Sequence, residues 1–114
     1  MYEYKAYVVS IYDADTIRAD IDLGFGIWKM NESIRLLDID APEMRGEERP
    51  AGLIARDYLR DMMPVGTEFT METVKDGTGK FGRYLATIYL ETPDGVLNIN
   101  QHLMDEGYAE PYPS

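Results

Sequence analysis

Arg35-Leu-Leu-Asp-Ile-Asp-Ala-Pro-Glu43 runs a buried-strand pattern into two carboxylates fixed around a proline. Pro42 sets its own φ and biases Ala41 away from helix, so Asp40 and Glu43 are expected to leave the strand in a preset geometry. Rigid carboxylates at a strand end suit a metal ion and a general base, and an arginine nearby suits a phosphate. The stretch also divides the chain. Alternating strand patterns precede it and a helical pattern follows.

On the N-terminal side, alternation marks a strand around Tyr4 to Tyr12. In a second, Ile17, Ala19, Ile21 and Leu23 face one way, with Arg18, Asp20 and Asp22 between them. Gly24 and Gly26 break that run. A third strand is expected from Trp28 to Ile39, with Ile34 and Leu36 inward and Arg35 on the opposite face. On the C-terminal side, Pro50 suits the first turn of a helix reaching Met63, with Ile54, Tyr58, Leu59 and Met62 as its apolar stripe. Pro64 and Gly66 stop it.

Phe69 and Met71 then alternate with Glu68, Thr70 and Glu72 in a fourth strand. Lys75 to Lys80 reads as a hairpin connection, and a fifth strand runs from about Phe81 to Leu90. Pro93-Asp94-Gly95 makes a turn. Asn98 with Gln101 resembles a capping arrangement and Gly107 a C-terminal cap, which gives a short helix from Ile99 to Glu106. The expected class is α+β, mainly β. Three strands, a helix, two strands and a closing helix match the five-stranded OB-fold, a Greek-key barrel with its helix between strands three and four. Residues 1–114 are expected to form one domain.

Composition narrows the chemistry. The 114 residues include no cysteine, which excludes disulfides and thiolate metal sites. With His102 as the single histidine, a metal must rest on oxygen ligands, which favours calcium, magnesium or manganese. His102 itself is assigned to the helix surface. Eleven Lys and Arg stand against 21 Asp and Glu, a net charge of −10. A broad basic face is therefore excluded, and affinity for a polyanion must come from a local site. No signal-peptide pattern opens the chain and no apolar run is long enough to span a membrane. A cytoplasmic or virus-encoded monomer with no membrane partner is expected.

Three short pieces are candidates for that site: Asp13-Ala-Asp15-Thr16, Arg35 through Glu43, and Lys80-Phe-Gly-Arg83. Each is common alone. The first is no EF-hand, because Ile17 and Arg18 occupy positions needing an oxygen ligand and a glycine. The conjunction, in this order and on this architecture, is the signal.

With Val9 to Ile17, Ile34 to Glu43, Gly79 to Ala86, and Leu97 to Asn100 followed by Gly107-Tyr-Ala109, the sequence resembles the staphylococcal nuclease family over about Tyr7 to Ala109. The resemblance implies a calcium ion held by Asp15, Asp40 and the Ala41 carbonyl. It implies Glu43 acting on the attacking water and Arg35 and Arg83 on the phosphate. It further implies a nuclease that cleaves single-stranded DNA and RNA with little sequence preference, leaving 3′-phosphate ends. Lys80 would hold a neighbouring phosphate and Phe81 would pack on the nucleoside, with Tyr112 and Tyr108 as further candidates. The main rival is a non-catalytic OB-fold module that binds nucleic acid or protein. Two positions depart from the family pattern: Ala14 stands where glycine is usual, and Ala41 where threonine is common. If position 14 needs a positive φ, alanine there costs about 1 kcal/mol.

Overall fold

The computed structural model describes residues 2–78 and 83–112, with the backbone alone at 75–78. Strand β1 (Tyr2–Asp13) pairs antiparallel with β2 (Thr16–Gly24), which pairs antiparallel with β3 (Ile27–Leu36). A two-residue strand, β4 (Ile39–Asp40), precedes a 3-10 turn at Gly46–Glu48 and helix α1 (Arg49–Met62). After α1 come β5 (Glu68–Thr78), β6 (Tyr84–Thr92), β7 (Gly95–Asn98), α2 (Ile99–Asp105) and β8 (Glu110–Pro111). The main sheet has the order β3-β2-β1-β5-β6-β7. A parallel pairing of β3 with β6, at Ile34↔Tyr84 to Leu36↔Ala86, partly closes it into a ring. This is a mainly β, OB-like α+β fold with a helix between the third and fourth long strands. The core is filled by alternating inward residues, among them Ile17, Ile34, Leu36, Met71 and Ile88.

Several local expectations are corrected. The third strand does not run to Ile39. It stops at Leu36, because Asp38 takes a left-handed φ of 66° and turns the chain. The two backbone groups of Leu37 are then satisfied elsewhere: its N–H donates to the Ala86 carbonyl (2.9 Å) and its carbonyl accepts from Asn100 Nδ2 (3.0 Å). Asp40 thus belongs to β4, which pairs with β8 in the register Ile39↔Pro111 and Asp40↔Glu110. Three short strands, β4, β7 and β8, join the five expected. Backbone pairing in β5 continues to Thr78, inside the stretch read as a hairpin connection. Leu23 is exposed rather than inward, since β2 there has passed the end of the core.

The helix lies where periodicity placed it, and of its expected stripe Leu59 is buried and Tyr58 and Met62 pack against the core, while Ile54 does not. Ile54 is 62% exposed, whereas Gly52, Ala55 and Leu59 are buried. The reason is a close approach. A Cβ on Gly52 would collide with the Glu43 carbonyl oxygen and lie 3.1 Å from that of Pro42. Small residues therefore face inward and the larger Ile54 is rotated out. Arg60 then fastens α1 to the sheet, donating from Nη2 (2.8 Å) and Nε (3.2 Å) to the Ile11 carbonyl at the end of β1. Helix α2 is capped at both ends. Asn98 accepts the Gln101 N–H (3.0 Å); at the other end Gly107 takes φ 83° and its N–H reaches Met104, while the Tyr108 N–H reaches Leu103. His102 is half-buried between the helices, its Nε2 2.6 Å from the Tyr58 hydroxyl. Tyr58 also stacks on Tyr108, at 4.0 Å between ring centroids.

Candidate active site

Asp15 joins the β1–β2 turn to the strand-end turn. Its backbone N–H donates to Asp13 Oδ1 (3.1 Å), the side-chain-to-backbone bond expected of an Asp-x-Asp turn. Its side chain is only 9% exposed. Oδ1 accepts from the Thr16 hydroxyl (3.1 Å) and Oδ2 from the Ala41 N–H (2.8 Å). Between the two aspartates Ala14 is fully buried and does not have a positive φ, so alanine fits that position without strain.

Arg35, at the end of β3, divides its guanidinium between two tasks. Nη1 donates to the carbonyls of Leu36 (3.1 Å) and Ile39 (3.0 Å), spanning the break between β3 and β4. Nη2 lies 3.6 Å from Asp15 Oδ2 and 3.6 Å from Asp40 Oδ1. On its other side, Cζ stands 5.3 Å from the centroid of the Tyr112 ring. Tyr112 is itself fixed through its backbone, its N–H donating to the Asp38 carbonyl (2.9 Å).

Glu43 is exposed beyond Pro42. Its N–H donates to Glu48 Oε1 (2.8 Å), and its carbonyl meets the bare Cα face of Gly52. Helix α1 thus sets the height at which Glu43 stands. Arg83, half-buried, immediately precedes β6, whose closing pair with β3 brings it beside Arg35. One cleft of about 370 Å³ is lined by Asp15, Arg35, Asp40, Ala41, Glu43 and Arg83. Tyr12, Asp13 and Thr16 complete its wall. Six of the ten residues given site roles from the sequence therefore share one cavity, and Tyr108 is not among them, stacking on Tyr58 instead. Tyr112 does not line it but supports Arg35 from outside, and Lys80 and Phe81 lie outside the described residues.

Four carboxylates in this cleft face two guanidiniums. The Asp13 carboxyl is pushed up to about 7, first by burial and then by its hydrogen bond with Asp15 and the charge of that residue. Among the described residues no group of three or more acidic or histidine side chains is gathered to hold a metal unaided. The donors offered are two carboxylates near one nitrogen and the adjacent Ala41 carbonyl. Hard oxygen donors with excess negative charge fit a hard divalent cation that keeps part of its water shell.

Three residues that hold this site were not legible as such. Asn100 is buried; its Nδ2 donates to the Leu37 and Ala86 carbonyls and its Oδ1 accepts from the Ile88 N–H (3.0 Å). Asn100 belongs to the Leu97 to Asn100 stretch that carries the family resemblance, but the pattern gives it no structural role. Nothing in the sequence pattern marks Arg60. Gly52 carried a usable signal, since a glycine inside a helical pattern marks either a weak helix or a close backbone approach.

A partly closed, mainly β sheet thus brings carboxylates and arginines together at one strand end. The chain matches the family model described as staphylococcal nuclease homologue over residues 33–114, and it belongs to that family, a nuclease-like one. It is 28% identical to the uncharacterized protein MJ1439 of Methanocaldococcus jannaschii, over 96% of this chain and 59% of that one. It is 29% identical to endonuclease YhcR of Bacillus subtilis, over 96% of this chain and 9% of that one. It is 33% identical to protein ParB of Escherichia coli, over 96% of this chain and 58% of that one. The chain thus spans a little over half the length of two of these relatives and about a tenth of the third. Among the described residues no helix is long and apolar enough to cross a membrane.

Proposed function

We propose that the cleft hydrolyses phosphodiester bonds in single-stranded DNA and RNA, with little sequence preference and in a calcium-dependent manner, leaving 3′-phosphate ends. The observation that carries this reading is the position of Arg35 Nη2, equidistant from the Asp15 and Asp40 carboxylates in a cleft that Glu43 and Arg83 also line. In-line attack on a phosphodiester needs an activated water and compensation for charge on the equatorial oxygens. Arg35 and Arg83 supply that compensation as planar, permanently charged forks. Glu43, exposed at the lip, takes the proton of the attacking water. The bond to the 5′ oxygen breaks, and the phosphate stays on the 3′ side.

Asp15, Asp40 and the Ala41 carbonyl would hold calcium, which when bound polarises a phosphoryl oxygen and offsets the negative charge of the cleft. Lys80 is assigned to a neighbouring phosphate, and Phe81 and Tyr112 to the nucleoside, a contact tolerant of sequence. The test is to incubate a single-stranded oligonucleotide with the protein and calcium, then with a chelator. Cleavage is expected with calcium only, and Glu43→Gln should lower it by about a hundredfold or more. Binding without cleavage at any calcium concentration would sink the enzymatic reading in favour of a non-catalytic binding module.

A further inference from the structure

The outer face of the sheet near the start of β3 carries an unexplained apolar floor. Alternation turns Trp28 and Met30 away from the core, leaving them 44% and 63% exposed. The Tyr7 ring lies beside Trp28, centroids 5.7 Å apart and tilted by 41°. With Asp20 these three side chains line a shallow depression of about 370 Å³. None of them lines the cleft.

The strand register surrounds this floor with acids. Tyr7 stands opposite Asp20 on one side and Glu68 on the other, and Trp28 stands opposite Asp22. The nearby cations are already engaged: Lys5 is 3.9 Å from Glu68, and Arg18 donates to the Asn31 side-chain oxygen (2.9 Å) and to its carbonyl (2.5 Å). An aromatic floor with an acidic rim complements a cationic partner that also has apolar side chains. A second copy is disfavoured, since it would bring two acid-rimmed faces together on chains of net charge −10. Strand addition along the adjacent β3 edge is disfavoured too. A bulge at Asn31, with φ 54° and its N–H donating to Asp20 Oδ1 (2.7 Å), interrupts the flat edge a partner strand needs.

We propose that this face docks a basic amphipathic polypeptide segment, its apolar side chains on Trp28, Met30 and Tyr7 and its lysines or arginines on Asp20, Asp22 and Glu68. Trp28 is the one tryptophan in the chain, so its emission reports occupancy directly. The probe is a synthetic peptide of about 18 residues with leucines and lysines on opposite helical faces. Titration should give a saturable blue shift whose affinity falls about tenfold or more between low and high salt. Met30→Ser and Glu68→Lys should each weaken it about tenfold, or about 1.4 kcal/mol, with the far-ultraviolet circular dichroism unchanged.

Absence of a saturable shift would overturn the proposal. So would an equal shift with a lysine–serine peptide, which would reduce the effect to charge alone. A comparable shift with a single-stranded oligonucleotide would make the face a nucleic-acid surface. A shift that follows protein concentration without peptide would make it a self-association surface. Cleavage is not part of the readout, so the outcome stands apart from the nuclease reading.

Discussion

Arg35 faces the proposed chemistry with one nitrogen and serves architecture with the other. Nη1 ties the Leu36 and Ile39 carbonyls across the break in the chain, while Nη2 faces the carboxylates. A lysine keeps the charge but cannot serve both directions. Arg35→Lys is therefore expected to lower cleavage by about a hundredfold or more and to cost about 1–2 kcal/mol of stability, the second read from urea denaturation. Asn100 is the purely structural counterpart. Asn100→Ala strands the Ile88 N–H and the Leu37 carbonyl, and should shift the urea midpoint by an amount worth about 2–3 kcal/mol at unchanged slope. The phosphate-suited half of Arg35 was legible because residue type and spacing carry it. Its structural half was not, because which carbonyls a guanidinium meets depends on a turn that no glycine or proline announces: Asp38 adopts the left-handed conformation itself.

Among the elements, α1 shows how a correctly placed helix can have one position of its apolar stripe misassigned, Ile54. Period and proline placed it within a residue of its observed ends. Hydrophobicity correctly selected Leu59, Tyr58 and Met62 but also Ile54, whereas close packing against the turn in that half of the helix selected the smaller Gly52 and Ala55. In an exposed helix interior, glycine to alanine gains about 1 kcal/mol. Here the added methyl meets the Glu43 backbone, so Gly52→Ala should reverse that sign and also lower cleavage about tenfold by displacing Glu43. Ile54→Ala, on the exposed face, should change stability by no more than about 0.5 kcal/mol. Retained cleavage in Gly52→Ala, at full stability, would separate α1 from the placement of Glu43. The long strands were legible because alternation survives in them, while β4 and β8, two residues each, are too short to show a period.

Over the whole molecule, charge −10 and a two-arginine cleft set how the protein meets a polyanion. A nuclease with a broad basic face loses affinity steeply with salt; the three phosphate contacts proposed through Arg35, Arg83 and Lys80 should raise KM for a single-stranded oligonucleotide by no more than about twentyfold between 50 and 200 mM salt at fixed calcium. A steeper rise would mean many more phosphate contacts than the cleft provides. The pairing of β8 with β4 has a consequence for how the site comes into being. Every carboxylate and arginine of the cleft precedes residue 84, yet the turn bearing Asp40 is closed by residues 110–112. On a ribosome, where the chain emerges from its N-terminus, the cleft's side chains reach solution well before the strand that squares them to one another. The cleft is thus among the last parts of the domain to take shape during synthesis.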